Sequence, residues 1–347
     1  MRCRILLFFT MLFLFSNPYR VKADCEIGVL IYKEGDSFTQ SLAAELVKYA
    51  EGRAEISLDY SEGNQRIQNQ QIESLLNDQK DALILNAQDC VSAIYPIRMA
   101  MKSHTPIVFI NCEPLKEDLK LYPLSFFVGS SPMQLGAVCG SIVSDYWQAN
   151  PDADRNRDGV MQSVILQGND DQNGVLRTQS TIEAIQDAGI SMEILDRRKA
   201  SWTRNLGEEE MSYMLTKYGT DIEMVICNND EMAIGAVDAL RLAGYFTNGN
   251  YMPVVGIDAT EEALKLVENG VLLGTVVNDA QRQAEVILET ALKLAEGEPV
   301  GKEKITREEI LKEAEGQCIY ISGDKIVSPL FQTVMKTDAQ KNNAEKK

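Results

Sequence analysis

The sequence has one histidine in 347 residues and lacks the short motifs that mark many enzyme and nucleotide sites. No G-x-S-x-G motif occurs, so the sequence offers no serine nucleophile for which His104 could act as the base. A triad hydrolase is therefore not expected. Without G-x-G-x-x-G or a P-loop, the chain is also not expected to bind a dinucleotide or a nucleoside triphosphate. The seven cysteines form no C-x-x-C pair, which excludes the common zinc and thioredoxin-like redox motifs.

Positive charge is also scarce. Lysine and arginine number 34 against 51 aspartates and glutamates, which gives a formal net charge of -17. An acidic protein is repelled by nucleic acid and by anionic membrane surfaces, so neither is an expected partner. The chain is 45% hydrophobic and 24% charged, as globular proteins are, and its length suits two domains. It contains no internal repeat, and we expect the polar residues 337–347 to form a flexible tail.

The one hydrophobic run of note lies at the N-terminus, at residues 5–15, and is too short to span a bilayer. Arg2 and Arg4 precede it, and a polar stretch ending in Ala23 follows, so the pattern predicts a signal peptide over residues 1–23 and an exported protein. Lipid attachment at Cys25 and an uncleaved leader are the alternatives. The cysteine arrangement would permit a disulfide such as Cys90–Cys112 without requiring it.

Short apolar runs alternate with helix-period segments along the whole chain. Strands are predicted at residues 27–32, 56–60, 82–86, 107–111, 126–129, 163–167, 192–195, 224–228, 254–258 and 274–278. Helices are predicted between them, for example at 38–49, 65–76, 135–147, 231–242 and 281–294. Continuously apolar strands alternating with helices indicate parallel sheets covered on both faces. Ten strands exceed one sheet of ordinary size, so we predict an α/β fold of two doubly wound lobes, the first ending near Gly129.

Polar side chains recur where the predicted strands end. In open α/β sheets, ligands bind beyond the carboxyl ends of the strands. The residues there are amides and carboxylates, with one ring beside them: Asp36, Phe38, Asn111, Asn228, Asn229, Asp258 and Asn278. Each polar residue alone could be a helix cap. Their recurrence in both predicted lobes instead indicates one polar ligand site.

These residue types suit a sugar. Planar amides, carboxylates and the arginine fork can each serve two adjacent hydroxyl groups. A pyranose also presents apolar C–H faces, and Phe38 and Trp202 are the rings available to cover them. For either ring, ordinary core packing is the alternative interpretation.

Residues 154–162 resemble a calcium loop that lacks its last ligand. Asp154, Asn156 and Asp158 occupy positions 1, 3 and 5, Gly159 takes the sharp turn at position 6, the carbonyl of Val160 falls at position 7 and Gln162 at position 9. The bidentate glutamate of an EF-hand is missing, because position 12 is Ile165. A carboxylate from elsewhere must therefore complete a calcium site, the alternative being a surface turn without metal.

Taken together, these segments resemble the periplasmic galactose/glucose-binding proteins of ABC transporters over nearly the whole mature chain. The matching segments are Ile27-Gly-Val-Leu-Ile-Tyr-Lys with Asp36-Ser-Phe38, Val108-Phe-Ile-Asn-Cys-Glu-Pro, the calcium loop, residues 222–236, Val255-Gly-Ile-Asp-Ala, and Gly274-Thr-Val-Val-Asn-Asp-Ala. The resemblance implies the type I periplasmic binding protein fold, with a three-crossing hinge near Gly129, Asn278 and Tyr320. The implied lobes are residues 24–129 plus 280–320 and residues 130–279 plus 321–336.

The resemblance also implies roles for individual residues. Glu223 would be the missing ligand of a structural Ca²⁺. Sugar contacts would come from Asp36, Phe38, Asn111, Asp171, Asn173, Arg177, Trp202, Asn229, Asp258 and Asn278. The 168–177 loop departs from the family pattern by being one residue shorter. Anchored on Arg177 it offers Asp171 and Asn173, whereas anchored on Gly168 it would offer Gln172 and Gly174.

The predicted function is therefore capture of a monosaccharide, D-galactose or D-glucose, by a monomeric binding protein that is not an enzyme. Its expected partner is an ABC transporter permease, with a chemoreceptor as a further candidate. A sugar sensor without a transport role and a secreted glycosidase using Asp36 and Asp258 are the alternatives. A transcriptional regulator of the same fold is excluded, because no helix-turn-helix precedes Ile27.

Overall fold

The structure is a computed structural model that describes residues 25–297, 310–311 and 317–329. The predicted signal peptide and the predicted tail at 337–347 lie outside these residues. Within them, no helix is both long and apolar enough to cross a membrane.

Helices and strands alternate along the chain, as the sequence predicted. The first part contains β1 (Glu26–Ile31), α1 (Ser37–Ala50), β2 (Glu55–Tyr60), α2 (Gln65–Asn77), β3 (Ala82–Leu85), α3 (Ile94–Ser103), β4 (Ile107–Ile110), α4 (Lys116–Leu119) and β5 (Ser125–Gly129). The second part contains α5 (Pro132–Ala149), β6 (Val160–Gln167), α6 (Gln172–Asp187), β7 (Ser191–Lys199), α7 (Arg204–Tyr218), β8 (Met224–Cys227), α8 (Asp230–Leu242), β9 (Val254–Asp258), α9 (Glu261–Glu268) and β10 (Gly274–Val277). The last part contains α10 (Ala280–Ala295), β11 (Ile310–Leu311), β12 (Cys318–Ile321) and β13 (Lys325–Val327), and short 3₁₀ turns lie at Cys90–Ala93, Pro151–Ala153 and Gly219–Asp221.

The strands form two sheets. The first has the order β11-β12-β5-β4-β3-β1-β2, and the second has the order β13-β10-β9-β8-β6-β7. All pairings are parallel except those of the edge strands β11 and β13, which run antiparallel to β12 and β10. The strand order reverses between β1 and β3 in the first sheet and between β6 and β8 in the second, as it does in doubly wound folds. All ten predicted strands are present, whereas β11, β12 and β13 were not predicted.

The apolar strands are buried because helices cover both faces of each sheet. In β4, Val108 and Ile110 pack on the face covered by α1 and α10, while Phe109 points to the face covered by α2 and α3. The second sheet is enclosed in the same way by α7 and α8 on one face and by α5 and α6 on the other. Full burial of one such side chain contributes about 1.5–3 kcal/mol to folding.

The chain passes between the two sheets three times. It leaves the first sheet after β5, returns after β10, and leaves again between β12 and β13. The ends of β5 and β10 and the end of β12 therefore lie next to one another. This is the three-crossing arrangement expected from the sequence, and it brings the carboxyl ends of both sheets to face a common cleft.

Candidate functional site

A cavity of about 550 Å³ lies in the cleft between the two sheets. It is lined by side chains that follow the carboxyl ends of strands from both sheets. Nine of the ten residues predicted to contact a sugar line it: Asp36, Phe38, Asn111, Asp171, Asn173, Arg177, Trp202, Asn229 and Asp258. The sequence prediction therefore located the cleft and nine of the twenty residues that line it, while their contact with a sugar stays a prediction.

The tenth residue, Asn278, lies behind Asp258 instead. Its side-chain nitrogen donates to Asp258 Oδ1 at 3.0 Å, and its oxygen accepts from Gln283 Nε2 at 2.7 Å. Asn278 lines an adjoining cavity of about 250 Å³, which shares Phe38 and Asp258 with the main one. In this conformation Asn278 orients Asp258, and its direct contact with a sugar stays a prediction.

Arg177 and Asp258 form the charged centre of the cavity. Both side chains are buried, with Arg177 Nη1 3.6 Å from Asp258 Oδ1 and 2.8 Å from the carbonyl oxygen of Asn228. Burial raises the pKa of Asp258 to about 6, while the Arg177 guanidinium and the hydrogen bond from Asn278 act in the opposite direction. The pair thus places a cation and a titratable carboxyl side by side at the cavity wall.

A second buried carboxyl, Asp230, lies beneath this pair at the start of α8. Its oxygens accept hydrogen bonds from Thr275 Oγ1 at 2.6 Å and from the backbone N–H of Thr260 at 2.7 Å. Burial, and after it the neighbouring Asp258, raise the pKa of Asp230 to about 8. Asp230 does not line the cavity, so its role is to hold the loop after β9 in place.

Two aromatic rings face the cavity from opposite sides. Phe38 comes from the first turn of α1, and Trp202 comes from the loop before α7, where Ser201 and Trp202 both have positive φ. The Arg177 guanidinium carbon lies 5.4 Å from the Trp202 ring centroid, which is a cation–π distance. A Cβ on Gly168 would meet the indole at 2.2 Å, so glycine is required there for the ring to lie flat against the loop.

Three of the polar residues both cap helices and line the cavity, so the two interpretations are compatible. Asp36, Asp171 and Asn229 are the N-caps of α1, α6 and α8, and each accepts a backbone N–H with one side-chain oxygen. The same three side chains line the cavity. Capping therefore fixes the orientation of these groups, because the capped oxygen cannot turn away without loss of the cap.

Residues 168–171 form a loop and residues 172–177 begin α6, where the predicted loop continued to Arg177. Asp171 and Asn173 both line the cavity, and Asn173 Nδ2 donates to the carbonyl oxygen of Asn111 at 3.0 Å across the cleft. In the alternative anchoring, Gln172 also lines the cavity, but Gly174 packs against the backbone of Asn169 with no room for a Cβ.

Several cavity residues were not identified from the sequence. They include Tyr32, Asn86, Gln88 and the disulfide-bonded pair Cys90 and Cys112. Asn86 follows β3 as Asn111 follows β4, so the rule that found Asn111 could have found it. Within the described residues, Asn86 Oδ1, Gln88 Oε1 and Arg177 Nε are buried without a hydrogen-bond partner. Buried polar atoms are costly when unpaired, and a polar ligand in the cavity would supply partners for these three.

The predicted calcium residues come together around the 154–162 loop. Gly159 has φ +77, as the sharp turn requires, and Asp158 Oδ2 accepts from the side-chain nitrogens of Asn156 at 3.0 Å and Gln162 at 2.9 Å. The backbone N–H of Val160, as the largest cause, lowers the pKa of Asp158. The loop therefore has the sharp turn of the predicted site and brings Asn156 and Gln162 to Asp158 through their amide nitrogens, while calcium binding stays a prediction.

Glu223 reaches this loop from the residue before β8. It is buried, and its two oxygens accept from the backbone N–H groups of Arg155 at 2.6 Å and Gln162 at 3.2 Å. Carboxylate, amide and carbonyl oxygens are the donors that Ca²⁺ prefers, so the residues present fit the ion. The set depends on amides and a carbonyl as well as carboxylates, and no group of three His, Cys, Asp or Glu in the described residues makes a metal site alone.

Comparison with known proteins places this architecture in a family. A model described as periplasmic binding protein domain matches residues 27–299, and the chain therefore belongs to the periplasmic binding protein family. It is 33% identical over 279 residues to the D-galactose/methyl-galactoside binding periplasmic protein MglB of Haemophilus influenzae, covering 79% of this chain and 83% of the relative. The family resemblance predicted from the sequence is thereby confirmed.

More distant relatives extend the comparison. The chain is 30% identical over 239 residues to a putative rhizopine-binding protein of Rhizobium meliloti, covering 67% of this chain and 72% of the relative. An Actinobacillus succinogenes periplasmic solute binding protein with bound D-allose aligns with TM-score 0.73 at 18% identity, covering 89% of this chain and 99% of the other. A Bacillus halodurans protein with bound myo-inositol aligns with TM-score 0.70 at 24% identity, covering 91% and 98%. These structures confirm the fold.

Proposed function

We propose that this protein binds a hexose, D-galactose or D-glucose, in the cleft between its two lobes and delivers it to an ABC transporter permease. The observation that carries the proposal is the composition of the cavity wall. It combines oriented amides and carboxylates with two aromatic rings, and three of its buried polar atoms lack a partner within the described residues. Hydroxyl groups of a sugar would satisfy these atoms, and the rings would cover its C–H faces.

The energetics require that the sugar be enclosed. Micromolar binding corresponds to about 8 kcal/mol. Spread over roughly twelve heavy atoms, this is about 0.7 kcal/mol for each, below the ceiling of about 1.5 for small ligands. Such efficiency needs contacts from both sides of the ring, which closure of the lobes around the hinge would supply.

The choice of galactose or glucose rests on the sequence resemblance and on a relative that is 33% identical over 79% of this chain. MglB of Haemophilus influenzae is named for galactose and methyl-galactoside, while more distant neighbours contain D-allose or myo-inositol. Those ligands are all ring polyols of similar size. We therefore propose the hexose from the closer relative and use the others as competitors in the test.

The rest of the expected arrangement belongs to the same proposal. The protein would be exported after cleavage at Ala23, with lobes of residues 24–129 plus 280–320 and 130–279 plus 321–336. A structural Ca²⁺ would be held by Asp154, Asn156, Asp158, Gln162, Glu223 and the carbonyl of Val160. The sugar-loaded protein would dock on its permease, and a chemoreceptor is a second proposed partner.

Isothermal titration tests the proposal. The mature protein, residues 24–347 loaded with calcium, is titrated with D-galactose and D-glucose, and with D-allose, D-ribose and myo-inositol as competitors. We expect saturable one-to-one binding near micromolar or tighter for at least one of the two hexoses, and weaker binding of the competitors. Binding of a competitor alone would overturn the hexose assignment, and heat from none of them would overturn the sugar site.

A glycosidase is the second candidate, and the raised pKa of Asp258 opposite Asp36 is the observation in its favour. The relatives, however, are solute-binding proteins. The partner of Asp258 is the Arg177 guanidinium, which can donate hydrogen bonds to a ligand but does not exchange protons. Release of nitrophenol from nitrophenyl glycosides, abolished in Asp258→Asn, would support the enzyme. We expect no turnover.

A further inference from the structure

A disulfide forms part of the cavity wall. Cys90 begins the 3₁₀ turn after β3, and Cys112 follows β4 by two residues; their Cα atoms are 5.5 Å apart and 22 residues separate them in sequence. Both residues line the cavity. The free cysteines of the described residues, Cys25, Cys139, Cys227 and Cys318, do not line it.

The residue before Cys112 has a backbone conformation that needs support. Asn111 has φ +60, and the N–H of Cys112 donates to the carbonyl oxygen of Ile110 at 2.6 Å. A positive φ at the centre of such a three-residue turn is the geometry of a classic γ-turn, which is rare and strained. Strained turns persist only where the surrounding structure holds them, and they concentrate at ligand sites.

This turn is also where the two sides of the cleft touch. The carbonyl oxygen of Asn111 accepts the hydrogen bond from Asn173 Nδ2 at 3.0 Å, and Asn173 belongs to the opposite lobe. The side chain of Asn111 meanwhile lines the sugar cavity. One turn therefore presents both a ligand group and a closure contact, and its position decides both.

The disulfide is not needed to bring its two loops together. β3 and β4 are already paired, with Leu83 opposite Ile107 and Leu85 opposite Phe109, and Ala93 is fully buried in the core below. The two loops therefore leave neighbouring strands side by side. What the covalent link adds is a fixed position for Cys112, and hence for the turn at Asn111.

We propose that the Cys90–Cys112 disulfide is a positioning element of the sugar site. It holds the Asn111 turn in the conformation that faces the sugar and accepts Asn173 on closure, so that hexose affinity depends on the covalent link. A preorganised loop gains affinity because less ordering remains to be done on binding. This inference rests on the proposed hexose function.

The test compares the oxidised protein, the same protein reduced by a phosphine, and the double variant Cys90→Ser/Cys112→Ser. The phosphine supplies two electrons, the two sulfurs take up two protons as thiols, and the phosphine becomes its oxide with oxygen from water. Hexose affinity is measured by titration after alkylation and mass spectrometry have verified the state of each cysteine. Cys25→Ser, which removes a free cysteine that neither lines the cavity nor packs with Cys112, is the matched control.

We expect the oxidised protein and Cys25→Ser to bind alike, and reduction to weaken binding of both at least about fivefold. The double variant should bind as weakly as the reduced protein and should not respond to the phosphine. If the double variant does not fold, reduction of the folded wild-type protein gives the same comparison. Unchanged affinity after verified reduction, or absence of the Cys90–Cys112 link in the exported protein, would overturn the inference.

A double-mutant cycle separates positioning from general stabilisation. Asn173→Ala is measured with and without the disulfide. If the disulfide acts through the Asn111–Asn173 contact, Asn173→Ala weakens hexose binding by a several-fold smaller factor when the disulfide is absent. If the two changes act independently, their effects on the binding free energy simply add. Amide exchange at Cys112 should also become faster on reduction, even without sugar.

The outcomes distinguish the two proposals. If the oxidised protein binds neither hexose, the proposed function fails, and this inference fails with it. If the oxidised protein binds a hexose and the cycle is additive, the disulfide only stabilises the loop, and this inference alone fails.

Discussion

The two sides of the cleft hold their polar groups by different means. On the side of the first sheet, Asn111 is held by backbone geometry, a strained turn next to the Cys90–Cys112 disulfide. On the side of the second sheet, Arg177 and Asp258 are held by burial and by their charges. The first arrangement depends on a covalent bond and the second on protonation. The two sides should therefore respond to different changes, which the following predictions test.

The largest effect is expected from breaking the charged side. Arg177→Ala would leave Asp258 buried without its cation, which costs about 3 kcal/mol or more of folding stability, and hexose affinity should fall more than a hundredfold. Arg198→Ala, which breaks the partly exposed pair with Glu210, is the control and should cost under about 1 kcal/mol. Urea unfolding and titration measure both effects. If the two variants lost the same folding stability, burial would not make the Arg177–Asp258 pair more important than an exposed pair.

Calcium removal should come next. Binding of an ion present at a hundred times its dissociation constant stabilises the folded state by about 2.7 kcal/mol. Chelation should therefore lower the melting temperature by roughly 5–10 °C. Glu223→Gln should lower it without a further response to the chelator. Because the loop lies outside the cavity, hexose affinity should change little. A melting temperature unaffected by chelation would contradict the calcium site.

Trp202→Ala tests the aromatic ring on the second-sheet side of the cleft. Loss of the stacking face should weaken hexose binding at least about tenfold, or about 1.4 kcal/mol, with a smaller effect on stability since Trp202 is only half-buried. Tyr213→Ala is the matched control. Its exposed ring also stacks with an arginine, since the Arg198 guanidinium carbon lies 4.7 Å from the ring centroid, but the ring lies away from the cavity. Unchanged affinity of Trp202→Ala would refute the stacking role.

The last prediction concerns pH. The pKa of Asp230 is raised from 3.8 to about 8, so the folded state holds its proton more tightly than the unfolded state. Its contribution to stability is present below pH 4 and is lost as the pH rises towards 8. The melting temperature should therefore fall across this range, and Asp230→Asn should flatten the dependence. Asp145→Asn, on an exposed pair with Lys325, should leave the dependence unchanged. Identical profiles for both variants would exclude Asp230 as its source.

The sequence predicted most of the fold because the strands are buried on both faces. Runs such as Ile107–Ile110 are apolar throughout, and such runs alternating with helices leave few other arrangements. The strands it did not predict are short and lie late in the chain: β11 has two residues, β13 has three, and Cys318–Ile321 is followed directly by β13. Their assignment depends on contacts with distant strands rather than on local pattern.

The cavity residues that were predicted are those that follow strands or lie within the family motifs. Asp36, Asn111, Asn229 and Asp258 follow strands and were found in this way. Asn86 obeys the same rule and was passed over, because it lies outside the motifs that carry the resemblance. The contact between Asn173 and Asn111 could not be predicted, since it joins residues 62 apart whose approach depends on how the two sheets face each other.

One outer strand has a consequence for how copies of this protein meet. β7 is the last strand of the second sheet, and among the residues that the structure describes no strand pairs with its outer backbone edge. Its final residues, Asp196, Arg197, Arg198 and Lys199, are all charged. Charged side chains on an edge strand discourage a second sheet from pairing with it. The charges on β7 therefore discourage two copies of this protein from joining edge to edge, which favours the monomer predicted from the sequence.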